Sequence, residues 1–245
     1  MADRFMRERA AVASGGASLL DWLVADARAV RRLWPLPAQL LAWLAVGAGV
    51  LVWTAWRGLR PDLSVRLHDP SFLLEVGLLL GAAILLAVGA LATAVPGGEP
   101  RRGRLVLMLV LAAAAWMVPA CRPGDGEVPL AGFVDAALVC EGRTALLGLP
   151  ALGALLLALS RGAPLAAATA GALAGAAAFL LACANMRVFC ATDTRLHLLI
   201  GHSFPAGLGI GVSAVAGAVW LRGWRRRDRG VFRRRLPRGS AAPGN

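Results

Sequence analysis

The chain is 245 residues long, 58% hydrophobic and free of tyrosine, and its 26 basic residues, all arginine, face 14 acids to give a formal net charge of +12. An ordinary soluble domain of this length carries more charge and interrupts its apolar runs more often. The composition excludes that class and points to an all-α polytopic membrane protein.

Residues 1–35 precede the first apolar run. They lack the early apolar core and small-residue cleavage site of a secretory signal, so they are expected to stay on the chain as a head segment. Ser14-Gly15-Gly16 breaks the chain, and Ser18-Leu19-Leu20-Asp21 resembles a capping box that opens a helix over 18–34. At 100° per residue, Leu19, Trp22, Leu23, Ala27, Val30, Leu33 and Trp34 share one side of that helix, with Asp21, Arg28, Arg31 and Arg32 opposite. Pro35 and Pro37 end it. Such a helix either lies flat on an anionic leaflet or offers its apolar stripe to the groove of a soluble partner. Asp26, which interrupts the apolar side, favours the second, because an acid facing lipid is unwelcome.

Six charge-free apolar runs follow, at 37–56, 76–98, 105–121, 144–160, 162–186 and 196–221. Each approaches the roughly 20 residues that a helix needs to cross a bilayer. Six crossings by a bundle at 36–224 place both termini on one side. If that side is the cytoplasm, it holds 19 of the 26 arginines, and the tight turn 97–104 contributes three of them. The opposite face keeps 7 arginines and 8 of the 14 acids. Basic residues accumulate on the cytoplasmic side of membrane helices, so both ends are expected there. The second span is bounded by Glu75 and Glu99, which flank it, and no acid falls within a run. The segment Ala170–Ala176 alternates alanine, glycine and leucine, a surface for close helix packing.

All four cysteines fall on the face opposite the termini. Cys121 closes the third run, Cys140 stands just outside the fourth, Cys183 lies within the fifth, and Cys190 lies in the loop before the sixth. A buried apolar role explains Cys183 well, and Cys121 suits either role. Cys140 and Cys190 are the better candidates for redox chemistry, since disulfides persist in oxidising compartments such as the periplasm. A metal site competes: the two thiolates with His197 offer ligands for Zn²⁺ or a softer ion, although no Cys-x-x-Cys spacing supports it. His202 is expected to face inward and bond to another helix. The basic tail at 225–245, with Arg225, Arg226, Arg227, Arg233, Arg234 and Arg235, is expected to touch anionic headgroups, and nucleic acid need not be invoked.

Signatures of catalysis are missing. Gly201-His202-Ser203 has a faint likeness to the Ser-Gly-His of lipid phosphatases, without that family's lysine and arginine signatures. Gly-x-Ser-x-Gly, His-Glu-x-x-His and phosphate-cradling loops do not occur. An enzyme is not expected, and neither is a cofactor.

The stretch 27–37, Ala-Arg-Ala-Val-Arg-Arg-Leu-Trp-Pro-Leu-Pro, resembles the juxtamembrane signature of the NrsF-type anti-sigma factors. So do Cys140-Glu-Gly-Arg-Thr-Ala-Leu-Leu-Gly-Leu-Pro150, Ser160-Arg-Gly-Ala-Pro164, Cys190-Ala-Thr-Asp193 and Leu221-Arg-Gly-Trp224. The order and spacing of these motifs cover the chain from about Ser18 to Trp224. Ala29 departs from the family, which usually has proline there, and Cys121 and Cys183 are an extra pair.

The resemblance implies a six-span protein of a bacterial inner membrane whose cytoplasmic head holds an extracytoplasmic-function sigma factor inactive. Cys140 and Cys190 would then be linked to sensing of oxidative or heavy-metal stress, with Cys121 and Cys183 secondary. The residues expected to bind the sigma factor are Leu19, Trp22, Leu23, Asp26, Arg28, Val30, Arg31 and Arg32. The partners expected are that sigma factor and the lipid bilayer, with no direct nucleic acid and no small-molecule substrate. The alternative is a small inner-membrane transporter or thiol-redox component that acts on its substrate through the outer cysteines.

Overall fold

The computed structural model describes residues 33–95, 97–120, 130–162 and 164–221. Within them every regular element is helical. In chain order these are α1 (Leu36–Arg57), the single turn α2 (Leu63–Arg66), α3 (Pro70–Ala92), α4 (Arg102–Ala120), α5 (Leu130–Ser160) and α6 (Ala167–Phe189). The last helix, α7 (Arg195–Leu221), contains two π-helical stretches, Leu198–Ser203 and Gly217–Leu221. Five helices are long and apolar enough to cross a membrane: α1, α3, α5 from Phe133, α6 and α7. α4 holds residues 105–120 of the third expected run, is described to Ala120 and is not one of the five.

Local chemistry sets the helix ends. Pro37 opens α1 within its first turn, where a missing N–H costs nothing, and Gly58 closes it at φ +123°. The carboxylate of Asp69 caps α3 by accepting from the Ser71 amide at 2.9 Å, with Pro70 as the first helical residue. This cap moves the start of the second helix upstream of its expected span, so Glu75 lies inside α3 instead of beside it. α5 likewise begins well before residue 144, because nothing from Leu130 onward breaks the helix. Cys140 is therefore a residue of α5, not of a loop outside it. Pro150 sits in the interior of the same helix.

α6 is the centre of the bundle and packs against α3, α5 and α7. Its small residues make this possible. A Cβ on Gly175 would meet the Ser213 Cβ and Oγ at 2.6 Å, and one on Gly217 would meet the Ala167 carbonyl oxygen at 2.6 Å. α6 and α7 thus approach closely, backbone to backbone at Gly217 and across the small Ser213 side chain at Gly175, as the alanine-glycine surface predicts. α1 ties to α5 through the buried Trp43, whose indole N–H donates to the Ala151 carbonyl at 3.1 Å. Large apolar side chains such as Val52, Leu107, Leu138, Leu157, Val212 and Val219 point outward. Helices apolar on their outer faces as well as their inner ones belong in lipid.

Candidate functional site

Two polar clusters occupy one end of this apolar bundle. The first is ionic. The α1–α2 connection lays its backbone against α6, where the Arg60 amide donates to the Val188 carbonyl at 3.2 Å. The Arg60 side chain is wholly buried and holds two acids: Asp62 at 2.7 Å and Asp193 at 2.7 Å. Arg66 and Arg187 also reach Asp193, each at 2.7 Å. Arg187 continues inward to Glu75 of α3 at 2.8 Å. Phe72 lies between the two buried guanidinium groups, with its ring centroid 5.8 Å from Arg60 Cζ and 5.4 Å from Arg187 Cζ. Buried charges persist when they are paired, and this cluster sets three arginines against four carboxylates, Asp69 included; Arg187 meets Glu75 by charge and proximity, since its Nε and Nη2 make no hydrogen bond among the described residues.

The charge states follow from those contacts. Burial works against the Arg60 cation, but hydrogen bonds to Asp62 and Asp193 outweigh it and hold the guanidinium charged. Hydrogen bonds from Arg60, then Arg66, keep the Asp62 carboxyl far below the usual range. Burial would raise Asp193, yet Arg60 and Arg187 together bring it below its ordinary value.

The second cluster stands beside the first. Cys140 from α5, Cys190 from the α6–α7 loop, and His197 and His202 from the start of α7 are all buried, and no two of their ligand atoms lie more than 4.8 Å apart. The Cys140 and Cys190 sulfurs are 3.7 Å apart, and Cys190 Sγ is 3.3 Å from His197 Nε2. The neighbouring Cys140 thiol, and then the His197 ring, draw the Cys190 thiol well below the ordinary thiol range against the opposing effect of burial. Leu147, Ala182 and Met186 pack around the sulfur pair.

The π-helical turn Leu198–Ser203 explains the imidazoles. At 3.6 residues per turn, positions five apart point about 140° away from one another. A π turn widens the coil so that such positions stack, and the rings of His197 and His202 meet edge to face at 5.4 Å. Gly201 leaves room between them and α5: a Cβ there would sit 3.4 Å from both Cys140 Cβ and His197 Cε1. The Cys183 thiol donates to the His202 carbonyl at 3.2 Å, which anchors the turn to α6.

The structure therefore brings together Cys140, Cys190 and His197, and it adds His202, expected only as an inward-facing polar residue. Cys183 lies next to the cluster but bonds to backbone. Cys121 and the head residues Leu19, Trp22, Leu23, Asp26, Arg28, Val30, Arg31 and Arg32 lie outside the described residues, as does the tail 225–245. Sequence reasoning missed Glu75, Arg60, Arg187 and Asp193 as one network. The available signal was Arg187, a lone cation at the end of an apolar run, since ionisable residues at membrane depth mark functional or paired positions.

A sequence profile of the NrsF family, described as negative regulator of sigma F, matches residues 23–224. The anti-sigma-F factor NrsF of Caulobacter vibrioides (strain NA1000 / CB15N) is 30% identical over 218 residues, covering 84% of this chain and 98% of that protein. No solved structure matches.

Proposed function

The chain belongs to the NrsF family of negative regulators of sigma F, and from that premise we propose that it is an inner-membrane anti-sigma factor controlled by the Cys140–Cys190 pair. Six spans, α4 included, leave both termini in the cytoplasm, in keeping with the arginine distribution. The helix at 18–34 holds an extracytoplasmic-function sigma factor. Leu19, Trp22, Leu23 and Val30 enter the partner's groove, Arg28, Arg31 and Arg32 meet its acids, and Asp26 lies at the edge of that apolar stripe. The cysteine cluster then faces the periplasm, where thiols are exposed to oxidants and thiophilic metals.

The observation that carries this reading is the 3.7 Å approach of two buried sulfurs from different elements. A peroxide that takes two electrons and two protons from this pair leaves a disulfide and is itself reduced to water. The sulfurs must close to about 2.05 Å to form that bond, which pulls the α6–α7 loop toward α5. The same loop carries Asp193, and through Arg187 it is joined to Glu75 of α3. A shift there reaches three helices. Release of the partner requires the two packings to differ in affinity, and couplings of about 1–3 kcal/mol are usual for such devices.

Co-purification of the full chain with its sigma factor tests the head. Deletion of residues 1–34 is expected to abolish the complex, and a complex that survives it refutes the docking role.

A further inference from the structure

We infer that Cys140, Cys190, His197 and His202 form one four-ligand centre for a borderline-soft divalent cation of the zinc class. This deepens the proposed sensor by assigning both imidazoles to it, and it rests on that reading only for its physiological purpose.

Three observations carry the inference. The first is the ligand set, since two thiolates and two imidazoles are a common tetrahedral complement for zinc. The second is spacing. Sulfurs bound about 2.3 Å from a tetrahedral zinc ion stand about 3.8 Å from one another, and a bound sulfur and imidazole nitrogen stand about 3.6 Å apart. The corresponding distances here are 3.7 Å for Cys140–Cys190 and 3.3 Å for Cys190–His197. The third is unmet polar capacity. His202 is 3% exposed, and neither of its ring nitrogens has a hydrogen-bond partner among the described residues. His197 Nδ1 is also without one. A buried ring nitrogen in that condition is costly, and an ion held through His197 Nε2 and one nitrogen of His202 gives His202 the partner that it lacks.

The fold supplies the remaining requirements. The π turn places two imidazoles five residues apart on one side of α7, a geometry that an uninterrupted α-helix does not offer. Gly201 keeps the space between α7 and α5 clear. All four ligands come from the protein, so the site is closed, as structural zinc sites are. Both sulfurs bind as thiolates, and α5, the α6–α7 loop and α7 are then clasped by a single ion. A softer ion such as Cd²⁺ competes for the same thiolates.

The test uses the full chain, purified in detergent, reduced and stripped of metal, then titrated with Co²⁺ and back-titrated with Zn²⁺. One Co²⁺ per chain is expected, with the intense visible bands of tetrahedral geometry, a thiolate-to-cobalt charge-transfer band, and displacement by Zn²⁺. His202→Ala and His197→Ala should each weaken binding at least on the order of 10- to 100-fold, the range typical even of a lost supporting residue, whereas His68→Ala, at an exposed histidine outside the cluster, should bind as the parent does. Weak octahedral bands or no binding in the folded parent chain would overturn the inference, and that result does not depend on any variant folding. Parent-like affinity in His202→Ala overturns it too. If binding fails while Cys140→Ser still silences the stress response in cells, the metal centre is refuted and the thiol sensor stands.

Discussion

Arg187, near the end of α6, and Glu75, in the second turn of α3, lie 2.8 Å apart with side chains only 2% exposed. Their pairing joins the central helix to α3 inside an otherwise apolar bundle, and Arg187 carries the connection on to Asp193 in the loop that bears Cys190. Breaking an isolated buried pair costs about 3–5 kcal/mol, and Arg187 would keep Asp193 as a second acid, so loss of Glu75 should cost less than that. Glu75→Leu should still lower the unfolding midpoint in detergent. Glu75→Leu combined with Arg187→Leu should cost less than the sum of the single changes, as a double-mutant cycle would show. Additive effects would mean that the pair does not interact.

Asp193 gives the bundle an acid limit. Its carboxyl is held below the unfolded value by Arg60 and Arg187 against the effect of burial. A depressed acid contributes stability that is complete above its unfolded pKa, about 3.9, and is lost as pH falls through the folded value. Thermal stability followed by circular dichroism should hold from neutral pH to about 5 and then decline. Asp193→Asn should be less stable at neutral pH and show a shallower acid decline, and an unchanged acid profile would remove Asp193 from this role.

Packing between α6 and α7 depends on glycine at position 175. A larger side chain there meets Ser213 at once, and overpacking of a close contact costs roughly 1–3 kcal/mol. Gly175→Val should be destabilised by that order. Gly153→Ala is the contrasting case, because a Cβ there has nothing within 4 Å and alanine favours a helix over glycine by about 0.5–1 kcal/mol. Parallel melts of the two variants check the sign of each.

The thiols should divide by position. Cys140→Ser and Cys190→Ser are expected to flatten the output of sigma-dependent genes under peroxide or Cd²⁺, since each removes half of the 3.7 Å pair. Cys183→Ser should keep the response, because serine still donates to the His202 carbonyl that the Cys183 thiol reaches. An intact response in Cys190→Ser would rule out the pair as the sensor.

Much of the fold was legible in the apolar runs, because a chain in lipid must satisfy its backbone within helices and so declares them by composition. That Cys140 and Cys190 reach the same end of the bundle was legible too, from the even alternation of the runs, but Cys140 does so from within α5 and not from a loop beside it. Helical periodicity hid His202, because an α-helix turns positions 197 and 202 apart and only the π turn restores them to one side. Contacts of long sequence range hid the ionic network: Arg60 and Asp193 are 133 positions apart, and no local pattern connects them. Glu75 was misplaced for a nearer reason, because the cap at Asp69 starts α3 earlier than the charge-free run does.

Pro150 lies ten positions beyond Cys140 in α5, about 15 Å along the axis at 1.5 Å per residue. Proline has no N–H for the carbonyl one turn back, and its ring crowds that carbonyl. α5 is therefore jointed: the half that bears the sulfur can tilt about this weak turn while the half beyond it, fastened to α1 through Trp43 and Ala151, keeps its seat. A tug of an ångström or two at the sulfur would then be taken up as a change of angle at Pro150, while the far half of the helix stays where Trp43 holds it.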